Sequence, residues 1–289
     1  MFIFHAGTGE EIVNVSDEEL SLCCDLEDQG HEDKWLKIAG IQLYRSHHNM
    51  IVAESGWLSD EIINVAQSLL KNQYKMKGFQ NTALGCNLSF DIMRTEFVQI
   101  LFNGNNHWVT ISTVGLPQPA CCINVYDSLY ETLTDFTKDQ ICALLCSGEH
   151  CITARLMKVH KQKNMSDCGL LAIAYATSIC NGDDVCTIQY ASSMKMRGHL
   201  VKCFQESKMS LFPSTVVLSE VSYVEDKISV ICHCRMPEKG KMIQCSQCKE
   251  WIHQTCEKAI PRRAWTERMF IWYCKSCEKG TTRKELVAV

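Results

Sequence analysis

The chain has 289 residues, 46% of them hydrophobic, enough for a medium-sized domain and a small one with cores of their own. Its longest apolar stretch, Gly169 to Ile179, is far too short to span a bilayer, and no basic segment followed by an apolar run opens the chain, so a soluble intracellular protein is expected. The net charge of −4 divides into −9 over residues 1–220 and +5 over 221–289, and so small an excess is no nucleic-acid footprint, which makes direct nucleic-acid binding an unexpected role.

In chain order, residues 1–50 carry no pattern that assigns them. Ser59 precedes Asp60 and Glu61, and Ile62, Ile63, Ala66, Leu69 and Leu70 recur on one helical face, which predicts a capped amphipathic helix. Phe97 to Phe102 reads as a strand, Asn103 to Asn106 as a turn and His107 to Val114 as a second strand, together a hairpin. Pro117 and Pro119 interrupt the chain before a third strand, Ile123 to Tyr126. Thr137 with Gln140 has the spacing of a capping box ahead of Ile141, Leu144 and Leu145. A further strand, Ile152 to Val159, leads through Gln162-Lys163-Asn164-Met165-Ser166-Asp167-Cys168-Gly169 into an apolar helix, Leu170 to Ile179. The mixture predicts an α+β domain over 51–211, a linker over 212–228, a small cysteine-rich domain over 229–280 and a tail over 281–289.

Cys168 stands out because a cysteine in the first turn of a buried helix faces unpaired backbone N–H groups and the positive end of the helix dipole, both of which favour the thiolate. Acyl transfer on such a nucleophile also needs a proton acceptor, a group to orient it and donors for the developing oxyanion. His107 and Asp127, at the ends of two predicted strands, are the candidates that neighbouring strands could bring to that helix end. Other histidines, His31, His47, His48, His150, His160 and His199, lack such a setting and read as surface or satisfied core residues. So do the adjacent pairs Cys23-Cys24 and Cys121-Cys122.

His107-Trp108, Tyr126-Asp127-Ser128 and the run from Gln162 to Gly169, with Gly56-Trp57-Leu58-Ser59-Asp60-Glu61-Ile62 before them, occur in the order and style of the ubiquitin-like-protein-specific cysteine proteases. Over about residues 50–210 the chain resembles that family, which processes and removes SUMO-type modifiers. The resemblance implies a papain-like fold with Cys168 as nucleophile, His107 as general base and then acid, Asp127 as orienter of the imidazole, and Gln162 with the Cys168 N–H as oxyanion donors. It implies that Trp57 and Trp108 line a narrow channel for the substrate's Gly-Gly tail. Met194 to Pro213 resembles the end of such proteases encoded by mobile DNA elements. From Trp57 to Cys168 the span is compact for the family.

Seven of the nineteen cysteines lie in the last quarter of the chain, and twelve are scattered before it without paired spacing. Cys232, Cys234, Cys245, Cys248, His253, Cys256, Cys274 and Cys277 form four close pairs separated by ten, four and seventeen residues. Ligands one to three residues apart can reach one zinc ion from a tight turn, so four pairs make two tetrahedral sites. Disulfides fit poorly in a chain without secretion signals. These residues, with Trp272 two before Cys274 and the stretch Met242 to His253, resemble a plant homeodomain (PHD) finger; a RING-type finger is the nearest alternative. The resemblance implies a cross-brace, with Cys232, Cys234, His253 and Cys256 on one ion and Cys245, Cys248, Cys274 and Cys277 on the other. No cofactor is expected for the protease. Two zinc ions with their thiolates would reduce the positive excess of this end to about +2.

Many PHD fingers bind histone tails, and Met242 and Trp251 match positions of the aromatic cage that holds methylated lysine. Ile231 and Ser246 stand where an aromatic and an acidic residue are common in strong cages, so an unmodified peptide or a purely structural role are the other readings. A short linker would keep the protease near whatever the finger binds. The leading expectation is a nuclear isopeptidase or processing protease for a ubiquitin-like modifier, brought to chromatin by its finger. The alternatives are a catalytically silent chromatin adaptor on an inherited protease fold, and acyl transfer to an amine on the same triad.

Overall fold

The computed structural model describes residues 33–145, 150–217, 220–257, 260–261, 264 and 270–280; Cys23, Cys24 and His31 lie outside them. A six-stranded mixed sheet forms the frame, in the order β10-β7-β6-β5-β4-β3. Its strands are β3 (Lys77–Gly78), β4 (Phe97–Phe102), β5 (Trp108–Ser112), β6 (Cys122–Tyr126), β7 (Cys151–Met157) and β10 (Tyr223–Ser229). β4, β5 and β6 pair antiparallel, β6 and β7 parallel, and β10 adds antiparallel to the outer edge of β7.

Period-two alternation gives the sheet two apolar faces. Val98, Ile100, Trp108 and Tyr126 join one core, together with α2 (Asp60–Tyr74) and α4 (Cys168–Asn181). Phe97, Leu101, Val109, Ile111, Ile123 and Val125 join the other, against Ile141, Leu144 and Leu145 of α3 (Asp135–Leu145). Burial on both sides explains why α4 is apolar all round: every residue from Cys168 to Ile179 is buried. The Thr110 hydroxyl donates to the Ala172 carbonyl at 2.8 Å and fixes α4 across β5.

Several expectations change at this level. Residues 33–50, unassigned from sequence, supply the hairpin β1 (Lys34–Ile38) and β2 (Ile41–Tyr44) and most of α1 (Arg45–Val52), whose Ile38, Leu43 and Ile51 belong to the first core. Ser59 stands at the N-cap of α2, but its hydroxyl makes no capping bond. The cap of α3 is Thr134, whose hydroxyl accepts from the Thr137 N–H at 3.1 Å; Thr137 lies inside the helix, and Gln140 donates instead to the Phe102 and Phe136 carbonyls. The stretch 212–228 carries β9 (Ser214–Val216), paired with β8 (Ile188–Tyr190), and most of β10. Between β8 and β9 runs α5 (Ser193–Gln205). Among the described residues no helix is long and apolar enough to cross a membrane.

After β10 the chain enters a small third core of Cys232, Ile243, Cys245, Ile252, Trp272 and Cys274, built around the hairpin of β11 (Met242–Gln244) and β12 (Trp251–His253) and closed by α6 (Lys275–Gly280). Val230 and Met236 pack into the second core of the larger domain, and Lys239 lies 3.3 Å from Asp139 of α3.

Candidate active site and metal centres

His107 ends the turn before β5 and Asp127 follows β6, so the antiparallel pairing of those strands sets the two side by side. His107 Nε2 lies 2.8 Å from Asp127 Oδ1, and both side chains are almost fully buried. Asp127 Oδ1 also accepts the Leu129 and Tyr130 N–H groups at 2.7 and 2.8 Å, while the Tyr130 ring meets His107 edge-on at 5.1 Å. The carboxylate is therefore fixed, and with Nε2–H committed to it, Nδ1 is left for another partner. That partner is Cys168, within hydrogen-bonding reach of the imidazole at the first turn of α4. Burial pulls the His107 pKa down, but the hydrogen bonds and charges of Asp127 and Cys168 outweigh it and raise the value to about 9. Burial instead pushes the thiols of Cys142 and Cys180 up to about 12, the behaviour of inert core cysteines.

Gln162 lies on the loop between β7 and α4, where its N–H donates to the Ser128 carbonyl next to Asp127. The Ser128 hydroxyl donates to Gln162 Oε1 at 2.6 Å and Gln162 Nε2 donates to the Asn164 carbonyl at 2.6 Å, so the amide is held in one orientation. Trp108 is folded inward against Phe102, with its Nε1–H on the Leu58 carbonyl at 3.1 Å, whereas the neighbouring Trp57 is 44% exposed. Gly169 allows this packing: a Cβ there would lie 3.1 Å from both Trp108 Cδ1 and Leu58 Cβ.

Five other histidines have local partners: His47 accepts from the Tyr44 N–H, His48 packs edge-on to Trp35, His160 accepts from the Tyr190 N–H, His199 meets Ser210, and His150 lies 3.8 Å from Glu250. Two functional-looking residues escaped the sequence reading. Arg197 of α5 is buried and bonded at 2.7 Å to Asp167, the residue before Cys168. The available signals were an acid abutting the nucleophile and an arginine in α5 with no acid one turn away.

In the small domain the eight Cys and His residues fall into the two groups Cys232, Cys234, His253, Cys256 and Cys245, Cys248, Cys274, Cys277, each with its ligand atoms within 4.8 Å of one another. The pairs interleave, and the spread suits a tetrahedron with ~2.3 Å metal–sulfur bonds, whose edges are ~3.8 Å. His253 presents Nδ1 to Cys234 Sγ at 3.4 Å, while Nε2–H donates to the Pro237 carbonyl at 2.9 Å, the second hydrogen bond that orients a metal-bound imidazole. The Cys274 N–H donates to Cys245 Sγ at 3.3 Å, as befits a thiolate ligand. These residues fit zinc. On the same hairpin Trp251 is 41% exposed and pairs with Gln244, while half-buried Met242 pairs with His253, which sets Met242 and Trp251 diagonally on one face.

Residues 57–185 match the model of the Ulp1 protease family, C-terminal catalytic domain, and residues 231–277 match that of the PHD-finger. The chain carries an Ulp1-type cysteine protease domain followed by a PHD finger. Among curated relatives, "Multicopy suppressor of chk1 protein 1" of Schizosaccharomyces pombe is 40% identical over 47 residues, 16% of this chain and 3% of that protein. "COMPASS component SPP1" of Saccharomyces cerevisiae is 36% identical over 61 residues, 21% of this chain and 17% of that protein. The chain thus spans only a small part of the length of these relatives. Among solved structures, the C-terminal Ulp1 protease domain in complex with Smt3, the yeast ortholog of SUMO, covers 69% of this chain and 99% of its own at 12% identity and a TM-score of 0.48. The Ulp1-like SUMO protease catalytic domain of Chaetomium thermophilum covers 70% and 94% at 14% identity and a TM-score of 0.43. The assignment rests on the two family matches.

Proposed function

We propose that this chain is a cysteine-type isopeptidase or processing protease for a SUMO-type modifier, with Cys168 as nucleophile, His107 as proton carrier, Asp127 as its orienter and Gln162 as oxyanion donor. The buried His107–Asp127 pair beside Cys168 is the observation that carries the reading. In the reaction, Cys168 Sγ attacks the carbonyl carbon of the modifier's terminal glycine, and the oxyanion takes hydrogen bonds from the Cys168 N–H and the Gln162 amide. As the tetrahedral adduct collapses, the C–N bond breaks and the imidazolium proton passes to the leaving amine. Water, deprotonated by His107, then hydrolyses the thioester and returns the thiol. Trp57 and Trp108 border the approach for the glycine tail.

The finger holds two zinc ions in this proposal, one in each four-residue group, and they serve its fold. Met242 and Trp251 offer a surface to a histone tail, which would place the protease on chromatin in the nucleus. A silent adaptor has less in its favour, because a buried, paired imidazole beside a thiol is costly to keep without use. The test is covalent capture by SUMO bearing a C-terminal vinyl sulfone. Parent protein should gain the mass of the probe and Cys168→Ala should not; capture by the variant, or none by the parent with SUMO, ubiquitin or related probes, would sink the assignment.

A further inference from the structure

Arg197 is 1% exposed and uses its guanidinium on five acceptors drawn from three separate segments. Nη2 donates to Asp167 Oδ1 at 2.7 Å and to the Gly56 carbonyl at 2.8 Å. Nη1 donates to the Met50 and Ile51 carbonyls at 3.2 and 3.1 Å, at the end of α1, and Nε donates to the Ser193 hydroxyl at 3.0 Å. Gly56 precedes Trp57, and Asp167 precedes Cys168. A single buried side chain therefore ties the segment that carries the exposed tryptophan to the residue beside the nucleophile.

The tie extends to the oxyanion side. Asp167 Oδ1 also accepts from the Ser193 hydroxyl at 2.7 Å, and Oδ2 accepts from Asn164 Nδ2 at 2.8 Å. Asn164 Oδ1 accepts the Ser166 and Asp167 N–H groups, and its carbonyl accepts Gln162 Nε2. Asp167 stands at the N-cap of α4 yet makes no side-chain capping bond, since its carboxylate is wholly engaged elsewhere. An unpaired carboxylate at that place would oppose negative charge on the sulfur and the oxyanion, and the guanidinium cancels it. Asp167 thus serves to anchor Arg197 without taxing the nucleophile.

From this geometry we infer that Arg197 is a positioning residue of the protease site. It sets the Gly56–Trp57 segment, Cys168 and Gln162 in mutual register through Asp167 and Asn164. The inference rests on the proposed protease reading. Lysine keeps the charge beside Asp167 but, as a single ammonium, cannot serve all five acceptors of the planar fork.

The experiment uses the full chain, a SUMO C-terminal aminocoumarin amide and a small haloacetamide. Arg197→Lys should lower kcat by about 10–100-fold, the scale of a misplacement near 1 Å, with KM little changed. Alkylation of Cys168 by the haloacetamide, which needs neither channel nor oxyanion donor, should proceed at the parent rate. Hydrogen exchange should rise in residues 49–58 and 162–168 together. Parent-like turnover, alkylation falling in step with kcat, or faster exchange in neither or only one segment would overturn the inference. Should Arg197→Lys fail to fold, Asn164→Ala, at a half-buried loop position, keeps the carbonyl that holds Gln162 but removes the side chain that joins it to Asp167, and the same loss of kcat at parent alkylation is expected; parent-like kcat there overturns it. If the parent cleaves no modifier amide, the protease reading fails, while the exchange measurement still decides the role of Arg197.

Discussion

At the scale of single residues, the raised pKa of His107 makes a pH prediction with a definite sign. The imidazole ordinarily titrates near 6.5 and here near 9, because Asp127 and Cys168 outweigh burial. The kcat/KM profile for a SUMO amide should therefore fall on its alkaline side near pH 9, as the imidazolium that donates to the leaving amine is lost. Stability shares the sign: the pair's contribution is complete below pH 6.5 and disappears as pH rises through about 9, which melting temperatures across that range would record. A fall centred near the ordinary histidine value would mean that Asp127 does not hold the imidazole as its 2.8 Å bond implies. Gln162 tests the other half of the site. Gln162→Ala should reduce kcat by ~10²–10³ with KM little moved if, as proposed, the amide donates to an oxyanion that exists only in the transition state. A rise in KM with kcat unchanged would mark it as a residue of the ground-state complex. The positions of His107, Asp127 and Cys168 beside one another were legible because each stands in a local motif. Arg197 and Asp167 were not, because their pairing across thirty positions exists only once α5 folds over the end of α1.

At the scale of elements, local signals located strands and helices better than their ends. Phe97–Phe102 was readable to the residue because five of its six residues are apolar and five are buried. The start of α3 was not, because Thr137-x-x-Gln140 has the spacing of a capping box while Thr134-x-x-Thr137 makes the bond. Thr134→Ala should cost about 1 kcal/mol in urea unfolding, and Thr134→Ser should restore most of it. No loss in the alanine variant would mean that Asp135 and the burial of Ile141 and Leu144 hold the helix end unaided. β10 eluded the sequence for a different reason. It is an edge strand whose Tyr223, Val224, Glu225 and Lys227 are exposed, so only Ile228 marks an inward face, and so mixed a string reads as linker.

At the scale of the whole molecule, β10 changes where the protease domain ends. A linker ending at 228 would let the finger swing freely, but residues 223–229 pair along the whole of β7, and Ile228 and Val230 are at most 2% exposed within the second core. Cys232 and Cys234 follow directly, and Pro237, whose carbonyl holds His253, adjoins Met236, which packs on that same core. The finger is thus spliced to the sheet edge, which limits where its β11–β12 hairpin can point relative to Cys168. Chains ending at 217 and at 237 separate the two architectures. The chain ending at 237 should melt close to the protease transition of the full protein and be insensitive to a zinc chelator, because it lacks six of the eight ligands. The chain ending at 217 should be less stable by about 3 kcal/mol or more, from the apolar burial of Ile228 and Val230 at ~1.5–3 kcal/mol each. It should also expose the edge of β7 and associate with itself. Equal stability of the two truncated chains would return the stretch ending at 228 to the role of a linker, and the finger's reach would then be set by chain length instead of by the sheet.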